Sequence, residues 1–210
     1  MKILCVIDSL GSGGAQRQIV NLACGLKEKG YDVELLTYNP GANFFLPILD
    51  QSKIKVYTVK KGYGFSFKVL FYFASLLRRK KFHSVISYQE SSNVYSVLAK
   101  VLTLSSVRLL VAERSSKEAD RGLVRTFFIR LSYLLANSVI VNSYNHADYL
   151  SRYAWIRNKL KVIYNGYDVS SVTYLTQRSN ETELKLLAIG RINSKKNFVR
   201  LAEALFLFQE

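Results

Sequence analysis

Short apolar runs alternate along this chain with longer stretches of helical periodicity, and this rhythm restricts the fold more than any other feature. The runs fall at residues 3–7, 33–37, 54–59, 84–87, 108–112, 139–141 and 161–163, each of strand length and bounded by Gly or polar residues. Helices are predicted over residues 15–29, 67–79, 93–104 and 121–136, with a short one before residue 161. The first places Ile19, Leu22, Ala23 and Leu26 on one face and stops at Gly30, where a C-terminal glycine belongs. Strands this apolar are covered on both faces, and helices between them make the sheet parallel. The expected fold class is therefore α/β, a doubly wound parallel sheet that takes ligands at the carboxyl ends of its strands.

The alternation breaks after Tyr164-Asn165-Gly166-Tyr167-Asp168, a turn signal. Residues 170–183 are polar and patternless, as a linker would be. A new strand is predicted at residues 184–189, a loop at 190–194 and a helix at 195–208. The organisation expected is a first domain over residues 1–165, a hinge and linker over 166–183, and the first βα unit of an incomplete second domain over 184–210. One βα unit cannot bury its own apolar faces.

Hydrophobic residues make up 49% of the 210 positions, enough for a packed core. The two cysteines, Cys5 and Cys24, lie in an apolar run and a helical pattern. They offer neither metal-ligand spacing nor a disulfide framework and read as buried thiols of a reducing compartment. His83 opens a strand, His146 sits on a polar helix, and neither has a metal-like partner in the sequence. No metal site and no cofactor are expected. The apolar run after Lys2 ends at Asp8, too soon for a signal peptide, and the most apolar stretch, residues 69–77, is too short to span a bilayer. A cytoplasmic setting follows by default.

Gly11-Ser12-Gly13-Gly14 lies between the first strand and the first helix, where backbone N–H groups and the helix dipole suit an anion. A tight turn with no ligand explains the same glycines. A dinucleotide fingerprint fails, because Gln16 stands where its third Gly belongs and the second strand ends in Thr37-Tyr38-Asn39 without a ribose-binding acid.

Three segments carry a more specific resemblance. Ser12-Gly13-Gly14-Ala15-Gln16-Arg17 resembles the Gly-Gly-Ala-Glu-Arg loop of family 4 glycosyltransferases. Val162-Ile163-Tyr164-Asn165-Gly166-Tyr167-Asp168 resembles that family's "V-I-P-N-G-V-D" hinge. Leu187-Ala188-Ile189-Gly190-Arg191-Ile192 followed by Lys195-Lys196-Asn197-Phe198 resembles its "VGRL…KN" donor segment. The three stand in family order and spacing across the whole chain. Gln16 replaces the usual Glu and Tyr164 the usual Pro. The family's E-x7-E motif would lie beyond Glu210.

The resemblance implies two Rossmann-like domains of the GT-B fold, the second only begun, and a retaining transferase of bacterial polysaccharide or lipopolysaccharide synthesis. Arg191 and Lys196 would be the catalytic cations gripping the donor diphosphate, approached from the first domain by the amides of Gly13 and Gly14. Such a leaving group needs electrostatic stabilisation as its charge grows. Asn165 and Gly166 would form the hinge. Gln16, with Glu113 and Arg114 in a segment resembling an Arg-containing stretch of bacterial polysaccharide transferases, would meet the acceptor; a surface ion pair is the plainer explanation of Glu113 and Arg114. The expected partners are a nucleotide sugar and a lipid-linked glycan acceptor. A 210-residue chain without the donor carboxylates is expected to be inactive. A truncated form that only binds membrane or acceptor is the alternative.

The net charge of +15 points to an anionic partner. Nine basic residues and no acid lie between Asp50 and Glu90, a field that attracts anionic lipid, nucleic acid or a phosphorylated substrate. No nucleic-acid motif is present, and the basic residues cluster around apolar helices, so nucleic acid is not an expected partner. The predicted helix 67–79 is apolar nearly all round and runs into Arg78-Arg79-Lys80-Lys81. Together with Lys68 these residues suit an anionic bilayer surface, with the protein peripheral on the inner face of the membrane. A core helix with a solvated basic end fits the same pattern.

Overall fold

The structure is a computed structural model that describes residues 1–114, 122–167, 169, 186–190, 192 and 196–207. The chain separates into two compact units, Met1–Tyr167 and Asp168–Glu210.

In the first unit seven strands form one sheet: β1 (Lys2–Val6), β2 (Asp32–Thr37), β3 (Lys55–Thr58), β4 (Ser84–Tyr88), β5 (Arg108–Ala112), β6 (Ser138–Val141) and β7 (Leu160–Val162). Their order is β3-β2-β1-β4-β5-β6-β7, and every pair is parallel. Among the described residues seven helices connect them: α1 (Gly14–Glu28), α2 (Leu46–Gln51), α3 (Phe67–Lys80), α4 (Glu90–Thr103), α5 (Leu123–Leu135), α6 (Tyr144–Ser151) and α7 (Ala154–Arg157). This is the expected Rossmann-like α/β architecture. Helix α2, with Pro47 in its first turn, carries too few residues for a periodicity signal.

Alternation along the central strand divides the core. Ile3, Cys5 and Ile7 face one side and pack with Ile19, Val20 and Ala23 of α1 and Leu49 of α2. Leu4 and Val6 face the other and pack with residues of α3, α4 and α5. A period of two sends neighbours to opposite faces, so each strand needs apolar residues throughout. Both cysteines are free, and burial pushes the Cys5 thiol up to about 12.

In the second unit the described residues hold one helix, α8 (Phe198–Leu207), with no buried side chain. Residues 186–189 are not a strand, in contrast to the expectation for 184–189. A strand is defined by its ladder, and no neighbouring strand is available among the described residues of that unit. The predicted helix start at Lys195 lies outside the described residues; α8 begins at Phe198.

Candidate functional site

The strand order reverses between β1 and β4, and ligands of open parallel sheets bind at such a point, outside the carboxyl ends of the strands. Asp8 and Ser9 follow β1 there, and Gln89 follows β4. Gln16, on the first turns of α1, donates from Nε2 to Asp8 Oδ1 (3.1 Å) and Ser9 Oγ (3.3 Å). Gly13 makes this possible: a Cβ on it would stand 2.1 Å from Gln16 Oε1. The Gln89 carboxamide satisfies its neighbours with its nitrogen toward Asp8. It then donates to both Asp8 oxygens, at 2.9 and 3.1 Å, and accepts from Gln16 Nε2 at 3.2 Å. One carboxylate is thus held by two amides at the switch point.

Gln89 has φ 75° and ψ 152°, a region almost reserved for glycine that costs of order 1–3 kcal/mol and persists only where surrounding structure enforces it. The enforcement is visible. Gln89 N donates to Ala112 O (3.2 Å), Asn93 N donates to Gln89 O (2.9 Å), and the buried Asn93 Nδ2 donates to Ala112 O (3.2 Å). Non-glycine backbone strain of this kind concentrates at functional sites.

Arg114, after β5, lies with its guanidinium 4.2 Å from the Tyr88 ring centroid and donates through Nη1 to Asn165 Oδ1. Its Nε is buried and has no hydrogen-bond partner among the described residues. Burial raises the Tyr88 pKa, an effect the neighbouring Arg114 opposes. Gln18 holds the segment after β7 as a strand partner would. It donates to Gly166 O (2.7 Å) and accepts from Gly166 N (2.9 Å).

Two of the expected site groups are engaged within the protein. Glu113 is 1% exposed and accepts a hydrogen bond from Tyr133, which ties α5 to the end of β5. Gly13 N donates to Gly11 O (2.8 Å) within the turn. Gly14 has open space around its Cα. Arg191 lies outside the described residues. Lys196 is described, and its stem crosses Gly190, with Cγ 3.4 Å from where a Gly190 Cβ would stand. Lys68, Arg78, Arg79, Lys80 and Lys81 are all exposed. Asp8, Gln89 and Gln18 were not singled out from sequence. The available signal for Asp8 was a charged residue directly after the first strand.

The chain matches Glycosyltransferase Family 4 over residues 12–171. It belongs to that family. Among curated relatives, an alpha-1,4-N-acetyl-D-galactosaminyltransferase of Campylobacter jejuni acting on a GalNAc-GalNAc-diNAcBac-PP-undecaprenol is 25% identical over 98% of this chain and 56% of its own length. The Erwinia amylovora amylovoran biosynthesis glycosyltransferase AmsD is 28% identical over 96% of this chain and 57% of its own length. The chain spans about half the length of the curated relatives it matches. Among solved structures, the lipopolysaccharide outer core galactosyltransferase WaaB superposes with a TM-score of 0.67 at 17% identity, over 82% of this chain and 48% of that one. Anabaena HepE with UDP-glucose gives 0.65 at 19%, over 81% and 45%. These likenesses establish the GT-B type of fold. Among the described residues no helix is long and apolar enough to cross a membrane.

Proposed function

We propose that this chain is the acceptor-side part of a retaining glycosyltransferase that moves a hexose-type sugar from a nucleotide-sugar donor to a polyprenyl diphosphate-linked glycan. The observation that carries the reading is the amide-held Asp8 at the switch point of a family 4 chain, beside a strained Gln89. Residues 1–165 form the acceptor side, 166–183 the hinge and linker, and 184–210 the start of the donor-binding domain. As the glycosidic bond breaks, negative charge grows on the departing diphosphate, and Arg191 and Lys196 meet it. These two cations supply the stabilisation, and the proposed reaction requires no metal or cofactor. Asp8, with orientation fixed by Gln16 and Gln89, accepts a hydrogen bond from a hydroxyl of the acceptor sugar. Arg114 lies at the hinge side of the same crevice through Asn165, where Gly166 is clamped by Gln18.

The test is sugar incorporation by the enzyme with its complete donor domain, using a panel of nucleotide sugars and a membrane extract as acceptor. Incorporation from one of them is expected. Asp8→Asn should lower the rate about 10–100-fold, the worth of a hydrogen bond to a charged group, with the thermal midpoint unchanged. No incorporation from any donor overturns the reading, and an Asp8→Asn rate equal to wild type removes Asp8 from it.

The protein acts at the cytoplasmic face of an anionic membrane through α3 and the residues after it. Phe67 and Phe71 are exposed on that helix, as are the cations at its end. Each cation near an anionic bilayer contributes about 1 kcal/mol. Changing Arg78, Arg79, Lys80 and Lys81 together to Ser should therefore weaken co-sedimentation with anionic vesicles by tenfold or more on the scale of ~1.4 kcal/mol per decade. Neutral vesicles should bind weakly throughout. Equal binding to both vesicle types would show that these cations only complement the C-terminal end of the helix dipole.

A further inference from the structure

An apolar cleft of about 1150 Å³ opens between α3, α4 and α5 at their N-terminal ends. These are the ends that follow the carboxyl edge of the sheet, where the Asp8 crevice lies. Phe65, Val94, Leu98, Leu123, Phe128 and Ile129 line it. The cleft is built, not incidental to loose packing. Phe65 stacks on Tyr95 with ring centroids 5.0 Å apart, and Ser66 N donates to Tyr95 Oη (2.7 Å), which pins the segment before α3 onto α4. Across the cleft, Arg125 of α5 pairs with Glu90 of α4 at 2.8 Å. The polar lining side chains are few: Lys61, Glu90, Ser91 and Arg125. Lys61 Nζ stands 5.8 Å over the Tyr95 ring. Glu90 and Ser91 open α4, and the residue before them is Gln89 of the crevice. Of the lining residues Phe67 and Val124 are exposed, and the apolar surface continues outside the cleft over the exposed Phe71 and Phe127.

We propose that this cleft holds the first isoprene units of a polyprenyl phosphate, with the phosphate at the cationic end near Lys61 and Arg125. The proposal rests on the reading of the acceptor as a polyprenyl diphosphate-linked glycan. Chemistry selects the occupant. Walls this apolar favour a chain that carries no hydrogen-bonding groups of its own, because a peptide would leave backbone amides unmatched there at a desolvation cost. Lys61 and Arg125 outnumber the one carboxylate among the described lining residues, Glu90, which pairs with Arg125, and this excess of positive charge complements an anionic head. Glu90 follows Gln89 of the crevice directly in sequence, so this end of the cleft adjoins the element that carries the Asp8 contact. The exposed rings around the mouth let the chain pass from the bilayer without crossing water.

Titration calorimetry of the 210-residue chain with geranylgeranyl phosphate tests this, with inorganic phosphate and hexadecyl phosphate as further arms. Geranylgeranyl phosphate is expected to bind, inorganic phosphate to show no heat at the same concentration, and hexadecyl phosphate to bind more weakly. Val94→Trp, which fills the cleft from α4, should weaken geranylgeranyl phosphate by about tenfold or more, ~1.4 kcal/mol, with an unchanged thermal midpoint. Should that variant melt early, Leu98→Trp makes the same comparison. A benzophenone-bearing prenyl phosphate tests wild type alone and should label peptides within residues 61–70, 90–98 or 122–129. Absence of binding, equal affinity of wild type and a folded Trp variant, hexadecyl phosphate binding as tightly, or labelling elsewhere overturns the cleft. Binding here without sugar transfer by the complete enzyme would overturn the transferase reading and leave the cleft in place. Undiminished transfer to a lipid-linked acceptor by Val94→Trp would do the reverse.

Discussion

Phe73→Ala is expected to destabilise the Met1–Tyr167 unit by about 3–5 kcal/mol, the usual result of deleting a buried ring from a core that cannot collapse around the gap. Phe73 is 0% exposed on α3 and belongs to the cluster that joins α3 to Leu4 and Val6 of β1 and to residues of α4. For a unit of this size each kcal/mol moves the thermal midpoint by about 2–4 °C, so the drop should be roughly 6–20 °C. Phe71, two positions away and 59% exposed, is the internal control. Phe71→Ser should change stability by no more than about 0.5 kcal/mol. Thermal melts of the two variants decide between them. Similar shifts for both would mean that α3 does not sit with Val69, Phe73, Ala74 and Leu76 inward as described.

Lys196→Ala, and separately Arg191→Ala, should each lower the turnover of the enzyme with its complete donor domain by on the order of 100-fold, as loss of one preorganised stabiliser of developing charge does. The kinetic split carries the argument. A cation that meets the diphosphate mainly as the glycosidic bond breaks affects kcat and kcat/KM alike, whereas one that merely binds the donor raises KM. The Lys196 stem passes close over the bare Cα of Gly190, so a side chain at 190 would press on it. Steady-state kinetics against the accepted nucleotide sugar measure both variants. Turnover near wild type for both would remove Arg191 and Lys196 from the donor site.

Much of the first unit was legible because strand and helix periodicities are local. A run such as Ile3-Leu4-Cys5-Val6-Ile7 announces a strand buried on both faces without knowledge of its neighbours. The Gly loop after it announces the start of α1, and three motifs in order announced the family. Helix α3 marks the limit. Its sequence is apolar on too many sides for periodicity to choose, and both a core helix and a membrane-facing one fitted. Packing buries Val69, Leu70, Phe73, Ala74, Leu76 and Leu77 as a core face and leaves Phe67 and Phe71 exposed.

Sequence alone thus determined the strands and long helices of the first unit, their parallel arrangement and the family, since each depends on residues close together in the chain. Tertiary structure alone decided the crevice and the cleft. Asp8 and Gln89 meet because β1 lies beside β4, its neighbour in the sheet but not in sequence. Glu113 reads in the sequence as an acceptor contact or a surface charge, whereas the fold buries it and brings the Tyr133 hydroxyl to donate to it. The cleft exists only where α3, α4 and α5 diverge at one end. Side-chain character and spacing are written along the chain, but which residues share a site depends on strand order and helix docking, and those follow from how all the apolar faces are buried at once.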